Sequence, residues 1–293
     1  MKAAKKKTEA QEIFGYRKML CVAVATVIIL VSAVFVYLNL SQSPQLPKAA
    51  IIDPLSVYSS GSIRHVNSTF IENAKALLYQ RFSKVDYYSY NATIESYKNL
   101  ASLNYKLIIW RVQSARDDPN HFVAISSCER FSSKNYDAYI ENDQITVCNI
   151  TGEYLFGITP KFIRECMNGR FEDTVIILMS CDGLNLDYEG TAETFVDKGV
   201  KVFISWDNRI YPADNDEAIA LLLKYLIEDN STISEAVSAI PVYYTSYGPV
   251  RLRYYPRNSE DVANYRIPDY RKSNVTSSAA LMVVVFFRED KLN

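Results

Sequence analysis

Residues 175–180 read VIILMS, a stretch with no polar position until its last residue. A strand apolar on both sides must be covered on both sides, and this happens inside a parallel sheet flanked by helices. Other segments fit the same plan. Residues 49–52 form a short apolar run stopped by Asp53 and Pro54, and residues 85–90, 107–112 and 202–205 are further strands. Between them lie helical periodicities with their own start and stop signals. Asn67 precedes a helix over 70–82, Thr93 one to about 103, and Thr159-Pro160 one that ends near Gly169. Another helix ends at Lys198-Gly199, residues 214–216 open one that runs to 227, and Thr232 caps one to 239. This alternation predicts an α/β domain with a doubly wound, mostly parallel sheet. Polar-interrupted stretches at 122–126 and 145–150 predict an inserted hairpin, and residues 250–255 and 279–287 predict two late strands.

Residues 19–40 (MLCVAVATVIILVSAVFVYLNL) carry no charge. As a helix this run is about 33 Å long, enough to cross a bilayer. Six basic residues (Lys2, Lys5, Lys6, Lys7, Arg17, Lys18) precede it against Glu9 and Glu12, and none follows it before Lys48. That asymmetry predicts a cytoplasmic N-terminus and an extracytoplasmic domain held at the cell membrane by one helix. A cleaved signal peptide has a shorter apolar core, so the anchor is expected to stay. The expected organisation is a basic tail (1–18), an anchor (19–40), a linker (41–48), the α/β domain (49–256) and a C-terminal extension (257–293). Glycan acceptor patterns at Asn67, Asn91, Asn149, Asn230 and Asn274 fit an outside location. So do four cysteines beyond the anchor; Cys128 with Cys148, and Cys166 with Cys181, are the disulfides considered. A net charge of -1 argues against a nucleic-acid partner, and Arg251, Arg253 and Arg257 beside Tyr254 and Tyr255 read as a solvated strand. No phosphate loop or zinc spacing is present, so no cofactor or metal is expected.

Ligands of open parallel sheets bind beyond the carboxyl ends of the strands. Those ends carry Asp53, Gln113-Ser114, Cys181-Asp182-Gly183 and Trp206-Asp207. Cys181 is the chemically notable one, a thiol at the tip of the most apolar strand. In this pattern the chain resembles the caspase-like cysteine peptidases, a group that includes legumain-, gingipain-, separase- and CHAT-type domains. VIILMSCDG resembles their nucleophile strand, and LIIWRVQSA the preceding main-sheet strand that ends in their catalytic His. AETFVDKGVKVFISWD and STISEAVSAI resemble later elements of the CHAT-type domains, so the likeness spans residues 48–240.

The resemblance implies Cys181 as nucleophile and puts Gln113 where the His belongs. The reaction needs an imidazole to generate thiolate and to protonate the departing amine, and a Gln amide does neither. His65 and His121 are the chain's two histidines and the candidates to replace it. Asp182, Trp206, Asp207 and Asp53 are expected to contact a peptide or protein ligand. The expectation is a catalytically impaired peptidase homologue that works by binding or assembly. Two rivals are an active cysteine endopeptidase (a hydrolase) using His65 or His121, and a metal-dependent glycosyltransferase-like enzyme using Asp214-Asn215-Asp216, a triplet that helix capping already explains.

Overall fold

The structure, a computed structural model, describes residues 24–34 and 46–271 apart from 58, 61, 62, 134 and 151. The chain divides into two compact units, Met1–Gln45 and Leu46–Asn293. The described part of the first is one exposed apolar helix, α1 (24–34). No helix among the described residues is long and apolar enough to cross a membrane. The rest of the 19–40 run, residues 1–18 and 41–45, Asn274 and the 279–287 segment lie outside the described residues.

The second unit is built on a six-stranded sheet of β1 (Lys48–Ile52), β4 (Val85–Tyr88), β5 (Tyr105–Arg111), β10 (Thr174–Met179), β11 (Val200–Trp206) and β14 (Leu252–Tyr255). Their order is β14-β11-β10-β5-β1-β4. All pairings are parallel except that of β14 with β11. The α/β class with a mostly parallel sheet, expected from the strand and helix periodicities, is what forms. Side chains alternate along each strand, which gives the sheet two apolar faces. Ile51, Ile109, Ile177 and Ile204 belong to one core, with α2 (Ser68–Leu78), α7 (Pro212–Ile227), α8 (Ile233–Ser238) and α9 (Glu260–Ala263). Ile52, Ile108, Ile176 and Phe203 belong to the other, with α3 (Ile94–Asn99), α5 (Pro160–Glu165) and α6 (Gly190–Asp197).

The caps form where the sequence signals them: Asn67, Thr93, Thr159 and Thr232 each accept a backbone N–H of the first turn, and Thr232 completes a capping box with Glu235. Gly199 closes the turn after α6 at a φ of 107°, where an added Cβ would lie 2.2 Å from Phe171 O. From β1 the chain crosses to β4 over the α2 face, then returns past β1 to β5 over the α3 face. The winding therefore reverses between β1 and β5.

The insertion differs from the expected hairpin. It is a four-stranded antiparallel sheet, ordered β6-β7-β9-β8, of β6 (Ser114–Asp117), β7 (Phe122–Arg130), β8 (Ile145–Ile150) and β9 (Glu153–Ile158), with a short α4 (Asp137–Glu141). Because β9 lies between them, Cys128 on β7 and Cys148 on β8 stand about two strand spacings apart, near 9.6 Å, beyond the reach of a disulfide. Cys166 and Cys181 pack on opposite faces of the main sheet. All four cysteines are free thiols. Two small hairpins, β2 (Ser59–Ser60) with β3 (Ile63–Arg64) and β12 (Tyr243–Thr245) with β13 (Gly248–Val250), complete the unit.

Candidate functional site

The ends of β5 and β10 lie side by side. Arg111 is in register with Met179, and Val112 N donates to Met179 O at 3.4 Å. Gln113 and Cys181 each follow two residues after this last registered pair. The adjacency persists one residue further, where the Ser114 hydroxyl donates to Cys181 O at 2.7 Å. Gln113 itself is held by its carbonyl, which accepts Ser126 N at 3.2 Å and the Ser126 hydroxyl at 2.7 Å. After Cys181 the chain turns sharply. Asp182 takes a φ of 59°, a left-handed conformation that Asp tolerates better than most residues. Gly183 passes so close to β11 that an added Cβ would sit 2.3 Å from Ser205 Oγ.

The thiol is not activated. Cys181 is half-buried against the α2/α7 face, and its Sγ donates to Ile210 O at 3.7 Å. Burial pushes its pKa up, assisted by neighbouring Asp182 and opposed by the Ile210 contact, Arg209 and Arg116. No hydrogen bond links it to an imidazole among the described residues. His65 is half-buried beyond the β1 end; burial and the nearby Arg111 lower its pKa, and Asp216 opposes them. His121 lies at the β6–β7 turn at a φ of 55°, with Nδ1 3.2 Å from Asp187 O.

The residues expected to contact a ligand are largely occupied by the protein itself. Asp182 is buried and takes a bidentate guanidinium from Arg116, at 2.8 and 2.6 Å, with Arg209 at 3.8 Å. Arg116 lies 4.9 Å from the centre of the Tyr188 ring, and its bond to Asp182 is the chief cause of its raised pKa. The partner of Asp182 is thus supplied from β6. Trp206 is wholly buried and donates to Asn215 Oδ1 at 2.8 Å, so it belongs to the core instead of the mouth. Asp207 accepts Arg251 N at 2.7 Å and Arg253 Nε at 3.1 Å, which fastens the start of β14.

Asp53 is wholly buried too. It meets Arg111 and Asp216 where the winding reverses, the position at which open α/β sheets hold ligands. Arg111 donates through Nη1 to Asp53 at 2.9 Å, and through Nε and Nη2 to Asp216 at 2.7 and 2.8 Å. Asn67 Nδ2 adds a bond to Asp216 at 2.9 Å while its Oδ1 caps α2. Tyr87 OH and Ser56 N complete the shell of Asp53. Burial raises the Asp53 pKa against the pull of Arg111. Burial also works against the Arg111 charge, but Asp216 and Asp53 outweigh it and raise that pKa.

The acidic triplet at the start of α7 is accordingly internal for two of its three members: Asn215 holds Trp206 and Asp216 holds Arg111. Arg111 is the centre of this buried network. A single charge at the end of an apolar strand was the available sign of this; its partners, 58 and 105 residues away, could not be read locally.

No protein-family profile matches the chain, and no curated protein matches it.

Proposed function

We propose that the chain is a single-pass membrane protein presenting a caspase-like α/β domain outside the cell, whose peptidase machinery lacks its base and which acts by binding or assembly. One observation supports the reading: the ends of β5 and β10 are adjacent and in register up to Arg111 and Met179, and just beyond them the Ser114 hydroxyl donates to Cys181 O. A nucleophilic thiol and its base on neighbouring strand ends is the arrangement the family resemblance implies. Here an amide replaces the base, and the thiol is raised in pKa and bonded to a backbone carbonyl. At pH 7 such a thiol supplies less thiolate than the few per cent of a free cysteine. The uncharged run at 19–40 with its basic flank supports the membrane topology. The exposure of Asn91, Asn149 and Asn230 supports the outside location.

Gln113→His is the direct test. With the imidazole restored beside Cys181, labelling by a thiol-directed acyl probe at neutral pH should rise by about 10²-fold or more, the usual worth of a positioned base. Strong labelling of the unmodified chain that disappears in His65→Ala or His121→Ala would overturn the reading. So would a folded Gln113→His variant that stays silent.

A further inference from the structure

The outer edge of the main sheet carries a site that the peptidase-like reading does not use. β14 is the last strand of its sheet; among the described residues only β11 pairs with it. Asp207 N donates to Arg251 O, which makes that pair a hydrogen-bonded one. In an antiparallel ladder such pairs alternate with non-bonded ones, so Arg253 and Tyr255 turn their backbone groups toward β11. Leu252 and Tyr254 present theirs to the open edge. A groove of about 410 Å³ runs along this edge, with Val237, Ile240 and Val242 on its far wall. Arg251 and Arg253 project from one side of the strand, and Leu252 and Tyr254 from the other. Arg253 is paired with Asp207 and Arg257 with Glu189, whereas the exposed Arg251 guanidinium carries no hydrogen bond or ion pair among the described residues.

We propose that this edge binds an extended segment of a partner protein in which acidic and apolar residues alternate, added as a further strand beside β14. Strand addition supplies the partners that the outward groups of Leu252 and Tyr254 lack, and alternate side chains of the added strand fall on alternate faces. Its acidic positions meet Arg251 and Arg253, and its apolar positions extend the face of Leu252 and Tyr254 toward Ile240 and Val242. The charge selects against a second copy of this chain. Antiparallel registers of β14 with itself centred on Leu252 or Arg253 set Arg253 opposite Arg251 or Arg253, and like charges directly opposite disfavour pairing; the register centred on Tyr254 sets Leu252 opposite Pro256, which has no N–H to donate.

The test is fluorescence anisotropy with the full chain and a fluorescein-labelled decapeptide of alternating glutamate and valine; alternating lysine and valine is the control. The expected result is saturable binding of the glutamate peptide alone, weakened by salt and by about tenfold in Arg251→Glu, the loss of one charge contact. Arg251→Ala, which only truncates an exposed side chain, should weaken it less. Hydrogen exchange at the Leu252 and Tyr254 amides should slow when the peptide is present. Equal binding of both peptides, affinity unchanged in Arg251→Glu, or no binding up to about 1 mM would overturn the proposal. Concentration-dependent dimerisation that shields the same two amides without peptide would overturn it too, by giving the edge to a second copy.

Discussion

Replacing Arg111 by Met keeps most of the side-chain volume and removes the charge that Asp53 and Asp216 share. Arg111 and Asp53 are 1% and 0% exposed, so water cannot take over the contacts. Removing one partner of a buried ion pair costs about 3–5 kcal/mol, because the surviving charge stays buried without compensation. Two carboxylates would be left behind here, which argues for the upper end of that range. Against a total stability of about 5–15 kcal/mol, the variant should be close to unfolding at 37 °C.

The pH dependence separates this cause from simple loss of packing. Asp53 already has a raised pKa, and withdrawing the attraction and hydrogen bond of Arg111 raises it further. A carboxyl whose folded pKa lies above its unfolded one binds more protons when folded, so its penalty is greatest at neutral pH and is relieved as the pH falls. The deficit of Arg111→Met should therefore shrink as the pH falls from neutral toward the ordinary carboxylate range. Urea unfolding followed by tryptophan fluorescence reads it directly, since Trp110 and Trp206 are both buried. Adding Asp53→Asn and Asp216→Asn to Arg111→Met should recover part of the loss, because no bare charge remains. A cost below about 1 kcal/mol, or a deficit that does not change with pH, would refute the reasoning.

Other consequences follow from the same contacts. Alkylation of Cys181 by iodoacetamide should rise with pH to a midpoint above about 8.5, the ordinary thiol value; a midpoint below it would mean an activated thiol. Asn67→Ala removes both a helix cap and a bond to Asp216, and urea unfolding should register a loss of about 1–2 kcal/mol. Because both ends of the Asn67 amide are engaged inside the fold, glycan mapping by mass spectrometry of the secreted-pathway protein should find Asn91, Asn149 or Asn230 occupied and Asn67 bare. Gly183→Ala forces a Cβ into Ser205 and should cost about 1–3 kcal/mol by thermal unfolding, partly relieved by Ser205→Gly.

Much of this architecture is legible in short stretches of sequence. The four helix caps act within one turn, so Asn67, Thr93, Thr159 and Thr232 announce themselves next to the helices they start. The five apolar residues that end β10, 175–179, announce burial on both faces because nothing else shelters such a run. The insertion was less legible: β9 (EYLFGI) sets Tyr154, Leu155 and Phe156 side by side without polar–apolar alternation, and only pairing with both β7 and β8 gives it a place.

The candidate site divides along the same line. Chain order and residue type were enough to put Cys181 at a strand tip and Gln113 at another, since a strand's end is set by where its own apolar run stops. Whether those tips adjoin, and what fills the space beyond them, depends on strand order and on loops that return from far along the chain. Arg116 comes back from the insertion to occupy Asp182, and Asp216 arrives from α7 to meet Arg111. A lone charged residue reads as solvated until its partner is known. Burial decides its role, and burial is a property of the assembled layers: the sequence specifies which side chains carry charge, while the fold alone determines which of those charges lose water and must find each other.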